Sequence, residues 1–171
     1  MLDPPKLSAL RPGPKAGPLK LGQILDLRTA PTDVQWKALP PTSDAELVRI
    51  AGDNNESAND RVRAMSGIAV RHTDGGDAPM RAALSDPKAD GTLRRGAARA
   101  LAAAYLEAGF ETLKAALADQ DHLLREAVVK ALAAHAENPE IRGALEALLA
   151  SEKHALVREA LDAALKDKDS K

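Results

Sequence analysis

From about residue 44 to residue 167, apolar residues recur at three- and four-residue intervals, the spacing that lines one face of a helix. Leu124, Ala127, Val128, Ala131 and Leu132 show the pattern most clearly. It returns along the chain: Val62-Arg63 with Ala69-Val70, Leu93-Arg94 with Ala100-Leu101, Leu124-Arg125 with Ala131-Leu132, and Val157-Arg158 with Ala164-Leu165. The aligned arginines, Arg63, Arg94, Arg125 and Arg158, are 31, 31 and 33 residues apart. A fixed period of this length marks stacked supersecondary units. The pattern predicts eight helices in four pairs, with the four aligned segments as the second helices.

Boundary residues give the first helices. Ser43-Asp44-Ala45-Glu46 reads as a capping box with Gly52 as a left-handed stop, which predicts a helix over 44–51. Asp77 with Pro79 opens the next short helix, Gly109 closes the one before Phe110, and Asn138-Pro139 sets an N-cap before a first-turn proline. Gly75-Gly76 reads as the turn between the first two pairs, and Gly67 as an interruption of the first second-helix. Each hairpin alone would expose its Ala and Leu stripe, whereas four stacked hairpins bury one continuous core. The expected fold is all-α, a right-handed α-solenoid of about four two-helix units with a proline-rich N-terminal extension.

Composition agrees with helix and divides the chain. Ala and Leu supply 59 residues against 11 for Val and Ile, which disfavours any all-β arrangement. Residues 1–43 hold eight of the 11 prolines, with six basic and three acidic side chains; residues 44–171 hold 31 of the 35 alanines and carry 18 basic against 22 acidic side chains. The expected divisions are a proline-rich basic extension over 1–43, a repeat domain over 44–167 and a polar tail over 168–171. Prolines make Lys6 to Pro18 extended or polyproline-like. Leu19, Leu21, Ile24, Leu25 and Leu27, then Val34, Trp36 and Leu39, are too apolar for a solvated spacer and are expected to dock, either over the open end of the first repeat or onto a partner.

At Leu124 to Leu132 the run Leu-Arg-Glu-Ala-Val-Val-Lys-Ala-Leu, recurring about every 31 residues, resembles the short HEAT-like repeats of the phycobilisome-lyase type. The resemblance covers about residues 44–167. It implies a helical-repeat fold that scaffolds, adaptors, chromophore lyases and regulatory subunits share, and it leaves function open among them.

Candidate chemistry is sparse. Cysteine is absent, which removes disulfides, thiol nucleophiles and thiolate metal sites. His72, His122, His135 and His154 show no metal-ligand spacing on one helix, and no His-Glu pair of the kind that HEAT-repeat deoxyhypusine hydroxylases use for iron occurs. Ser66, Ser85 and Ser151 lie in no nucleophile elbow. No catalytic residue, metal or cofactor is therefore assigned. The formal charge of -1, with only Trp36, Tyr105 and Phe110 as aromatics, disfavours nucleic acid, although Arg81, Arg94, Arg95 and Arg99 form a modest basic group. The aligned arginines read first as a structural ladder, each bonding a loop carboxylate (Asp60, Asp90, Asp119 or Asp121, Glu152) or the carbonyls of a helix end.

The expected function is a non-enzymatic scaffold or adaptor that binds another protein through the row of second helices and the proline-rich segment. Trp36, Arg94, Arg95, Arg99, Lys130 and His135 are the expected contacts, with burial against the first repeat as the alternative for Trp36. The alternatives are a ligand or chromophore lyase or carrier, as the resemblance implies, and a nucleic-acid-binding HEAT-like module. Leu145, Leu148, Leu149, Leu156, Leu161 and Leu165 suggest an apolar stripe at the last repeat and hence self-association. No run of about 18 apolar residues offers a membrane span, so the expected location is cytoplasmic, or periplasmic if a signal peptide has been removed.

Overall fold

The computed structural model describes residues 20–166, and among them it is all-helical. Two short helices, α1 (Leu21–Leu25) and α2 (Asp33–Lys37), precede four pairs: α3 (Ser43–Gly52) with α4 (Ala58–Arg71), α5 (Asp77–Ser85) with α6 (Gly91–Ala104), α7 (Leu106–Ala116) with α8 (His122–Ala133), and α9 (Pro139–Ser151) with α10 (Ala155–Lys166). Among the described residues no helix is long and apolar enough to cross a membrane. The stretch expected to be polyproline-like, Lys6 to Pro18, lies outside the described residues, as does the tail over 168–171.

The second helices pack in sequence, α4 on α6, α6 on α8 and α8 on α10, while α3, α5 and α7 neighbour one another beside them. Their inward faces supply the core: Met65 and Ile68 of α4, Leu93 and Leu101 of α6, Leu124 and Val128 of α8, Val157 and Leu161 of α10. Close approach needs small residues at two places. A Cβ on Gly96 would lie 2.6 Å from Val62 Cγ2, so glycine lets α6 seat against α4. A Cβ on Gly67 would lie 2.8 Å from Trp36 Cε3. Gly67 thus sits within an unbroken α4 and makes room for an indole, rather than interrupting the helix.

Several boundaries differ from the sequence reading. Helix α3 starts at Ser43 itself, which is buried, so the Ser43–Glu46 capping box does not form; Ser43 N–H and Asp44 N–H donate to Pro40 O and Pro41 O. Gly52 is helical and the chain leaves α3 in extended geometry at Asp53. The break expected at Gly109 falls at Tyr105 (φ -136°, ψ 38°), and Gly109 lies inside α7 against Leu101. Asn138 caps α9 as expected, its Oδ1 accepting from Glu140 N–H at 2.9 Å with Pro139 in the first turn. Gly75 supplies the left-handed residue (φ 71°) of the turn before α5.

The apolar clusters before α3 dock onto α4 except at Val34, which is 77% exposed, while Leu19 lies outside the described residues. Trp36 is 1% exposed, and Ile24 and Leu39 are buried with it. Arg71, the last residue of α4, donates to Trp36 O at 2.8 Å, Leu39 O at 3.0 Å and Pro40 O at 3.3 Å, and pairs through Nε with Asp44. Arg63 donates to Leu25 O at 2.9 Å. Leu25 O and Leu39 O thereby gain a donor, and Trp36 O and Pro40 O, already bonded by the Leu39 and Ser43 N–H groups, gain a second, which ties down α1 and α2, helices too short to stand alone. At the other end, α10 turns Val157, Ala160, Leu161 and Ala164 inward and presents Arg158, Glu159 and Lys166 outward. The apolar stripe expected there is largely covered: Leu145 and Leu161 are fully buried, Leu148, Leu149 and Leu165 pack against the core, and Leu156 is the exposed one.

Candidate functional site

Equivalent positions on the four second helices define two surfaces. The fourth residues are Arg61, Arg94, Arg125 and Arg158, and the ninth are Ser66, Arg99, Lys130 and Ala163. The gapless alignment that placed Arg63 in the first rank is therefore two residues out. Arg63 serves the N-terminal segment, and Arg61 takes the ladder position.

The fourth-position arginines face the loops. Arg94 donates through Nε and Nη2 to Leu84 O, at the end of the preceding helix, and pairs with Asp119 of the next unit at 2.5 Å. Arg125 donates to Asp119 O at 2.7 Å and grips Glu152 with both arms, at 2.7 and 2.9 Å. Arg158 donates to Glu152 O at 2.9 Å. Asp119 and Glu152 are thus each bonded from two successive units, by side chain and by carbonyl. The doubly bonded guanidinium of Arg125, helped by the His154 and Lys153 N–H groups, outweighs burial and holds the Glu152 carboxyl at about 2. Arg94 likewise holds Asp119 below the usual carboxylate range. The ladder expected from sequence is present, in the form of a connected chain from Arg94 to Arg158.

Two of the expected contact residues are spent in this framework. Trp36 lies in the core under α4, and Arg94 is 8% exposed and bonded to Asp119, so neither offers itself to a partner. The sequence marked both by side-chain type, which carries no information on whether an indole or a guanidinium faces inward. Arg95 is half-buried, 3.7 Å from Asp121. His135 lies in the turn after α8, half-buried, its carbonyl accepting from Asn138 N–H at 3.0 Å. The basic group expected in the second repeat is dispersed, since Arg81 pairs with Asp77 at 2.8 Å on α5.

Arg99 and Lys130 occupy the equivalent, exposed ninth position on the neighbouring helices α6 and α8. Lys130 pairs with Glu126 at 2.7 Å, and Arg99 meets no hydrogen-bond or ion-pair partner among the described residues. Small residues flank them. Ser66, Ala69, Gly96, Ala100 and Ala103 line a furrow of about 230 Å³ between α4 and α6 beside Arg99. A wider furrow of about 520 Å³ runs beside Lys130 over Ala133, Ala134, Ala160 and Ala163, with Glu137 and Arg142 at its far side.

One juxtaposition was invisible in the linear spacing. His122 and His154 stack with ring centroids 3.8 Å apart, tying the start of α8 to the start of α10, and His154 Nδ1 is buried without a hydrogen bond. His122 opens α8 and His154 directly precedes α10, one position out of register, so neither helical periodicity nor repeat alignment pairs them. Among the described residues no group of three or more His, Asp or Glu is placed to hold a metal ion. Tyr105 is the other polar link across repeats: its hydroxyl donates to Thr73 O at 2.5 Å, and burial, reinforced by the charges of Asp77, Asp74 and Asp44, pushes it up to about 12.

No protein-family model matches the chain, and comparison with curated proteins returns no match.

Proposed function

We propose that the chain is a non-enzymatic helical-repeat adaptor, a right-handed solenoid of four HEAT-like pairs that binds another protein through the row of second helices. One observation carries the reading. The ninth positions of α4, α6, α8 and α10 form an exposed line, Ser66, Arg99, Lys130 and Ala163, flanked by alanine-lined furrows, and Arg99 stands in it without a partner. Arginine is a common interface anchor, and small residues let a partner backbone or side chain approach closely. Packing supports the same view, because α1 and α2 cover one end and the polar face of α10 covers the other, which leaves the sides of the array as its surface for recognition.

Site-specific photo-crosslinking tests this. A photoreactive residue placed at 99 or 130 in the native host gives one shared adduct, one placed at 111 on the first-helix side gives none, and Lys130→Glu weakens the adduct formed from position 99, as Arg99→Glu weakens the one formed from position 130, neither lowering Tm. Equal labelling at 99 and 111, or none at 99 and 130, overturns the proposal.

A further inference from the structure

The junctions between successive pairs differ in one respect. Between the second and third pairs, the loop carboxylates Asp119 and Asp121 each face an arginine of the preceding second helix, Arg94 at 2.5 Å and Arg95 at 3.7 Å. Between the third and fourth, Glu152 receives both arms of Arg125. The counterparts between the first and second pairs are Asp86 and Asp90; Asp90 caps α6 as Asp121 caps α8. Here the preceding helix supplies no cation to them. Val62 occupies the place of Arg95, and Arg61 turns back, donating to Ala51 O at 3.0 Å and Asn54 Oδ1 at 2.9 Å. Neither Asp86 nor Asp90 has an ion-pair partner within 4.0 Å among the described residues; the Thr92 and Leu93 N–H groups, with the more distant charge of Arg95 on α6, hold the Asp90 carboxyl below its usual range. Asp86 accepts the Lys88 N–H at 2.9 Å, and Asp90 accepts the Thr92 N–H at 2.7 Å.

A groove of about 480 Å³ opens at this junction, with Ala58, Ala82 and Ala89 as its accessible apolar residues and Asn54, Asp86 and Asp90 among its polar groups. Lys88 and Arg61 also border it. At the other two junctions the corresponding carboxylates hold a guanidinium.

We infer that this groove binds an arginine side chain presented by a partner peptide, whose guanidinium takes the rung that Arg61 does not form and pairs with Asp86 and Asp90 while its methylenes lie on Ala82 and Ala89. A guanidinium suits the place better than an ammonium, because its planar fork can meet two carboxylates at once. The inference does not rest on the second-helix face: the groove lies at the loop edge and shares no residue with Arg99 or Lys130.

The test is an amide NMR titration of the full chain with the blocked tripeptide acetyl-Gly-Arg-Gly-amide, with its lysine and norleucine counterparts as controls. The arginine peptide is expected to produce saturable shifts at Asn54, Asp86, Asp90 and Leu93, the lysine peptide to bind more weakly and the norleucine peptide not at all. Asp86→Asn keeps the oxygen that accepts the Lys88 N–H and Asp90→Ser keeps an N-cap, so both variants fold; each is expected to weaken the arginine peptide by about tenfold or more. Arg99→Glu is expected to leave the titration unchanged. Absence of saturable shifts, equal response to norleucine, or undiminished binding to Asp86→Asn overturns the inference, and none of these outcomes bears on crosslinking at residue 99.

Discussion

Around α4 the chain is held by an apolar plug and backbone carbonyls, whereas from α6 to α10 it is held by arginines locked to carboxylates. In the first region Trp36, Ile24 and Leu39 are buried, and Arg71 and Arg63 reach the carbonyls of Trp36, Leu39, Pro40 and Leu25. In the second, Asp119 and Glu152 are each shared between two units. The difference follows from what each place lacks. An end helix pair has an apolar face and no neighbour, so it needs area, and an indole supplies more than any other side chain. An interior junction already has a neighbour and needs alignment, which a bidentate pair between fixed positions enforces through geometry.

The largest effect is expected at the plug. Trp36→Ala should cost about 3 to 5 kcal/mol in urea unfolding, since a fully buried aromatic leaves a cavity that the surroundings fill only in part. Gly67→Ala should cost about 1 to 3 kcal/mol by forcing a methyl against the indole, and much less in a Trp36→Ala background, where the space is free. Additive costs in that double-mutant cycle would show that the indole and α4 are not in contact, and the comparison of the two regions would lose its first half.

The next effect is at the ladder and depends on pH. The Glu152 carboxyl is held at about 2 against an ordinary value of 4.5, which corresponds to about 3 kcal/mol of stability at neutral pH. Because the folded value is the lower one, this stability is complete above the unfolded value and is lost as pH falls from about 5 through about 2. Glu152→Gln should therefore be destabilised at pH 7 and show a flatter acid limb than the unaltered chain, measured by urea unfolding at pH 7, 4 and 2.5. Parallel limbs would mean that the carboxylate contributes no more folded than unfolded, and that the ladder is not what aligns the last two pairs.

The sequence carried the ladder's existence but not its register. The repeat, its period and the arginine pattern were legible because a helix buries residues at fixed intervals and Ala and Leu mark them. The phase of the first rank was not, since Arg61 and Arg63 are both arginines two positions apart and only the start of α4 at Ala58 decides between them. Trp36 and Arg94 were legible as anchors by type; whether each anchors a partner or the chain itself depends on long-range burial that no local pattern encodes. Gly67, Gly96 and Gly109 misled or were silent for the same reason, because each answers to a neighbour from another element: Trp36, Val62 and Leu101. Lys130 and Arg99 share the ninth position of their helices because they lie 31 residues apart, one period of the pattern, although the sequence reading named them only by type.

A smaller effect separates the regions at their seam. The Tyr105 hydroxyl joins the turn between α6 and α7 to Thr73 before α5. Tyr105→Phe should cost about 1 kcal/mol, the usual net value of a part-buried hydrogen bond, because the Thr73 carbonyl keeps the Gly76 N–H as a donor. A cost near 3 kcal/mol would show that the plug and the ladder depend on one another through this contact.

The smallest change is expected with the opposite sign. His72 ends α4 in left-handed geometry (φ 51°, ψ 49°), which an L side chain adopts at a cost and glycine adopts freely. The conformation is held by its surroundings: His72 N–H donates to Ala69 O, Thr73 N–H to Ile68 O, and the preceding Arg71 is fixed by four bonds to α2, the segment after it and Asp44. The His72 side chain is exposed and makes no bond, so its removal loses little. His72→Gly should raise stability by about 0.5 to 1 kcal/mol, less whatever glycine adds to the entropy of the unfolded chain. A gain by urea unfolding would show that the clamp at Arg71 holds the helix end in a costly geometry that the histidine only tolerates. A loss would show that the histidine ring itself supports the plug, and would move it from the solvated edge of α4 into the set of residues that close the first helix pair.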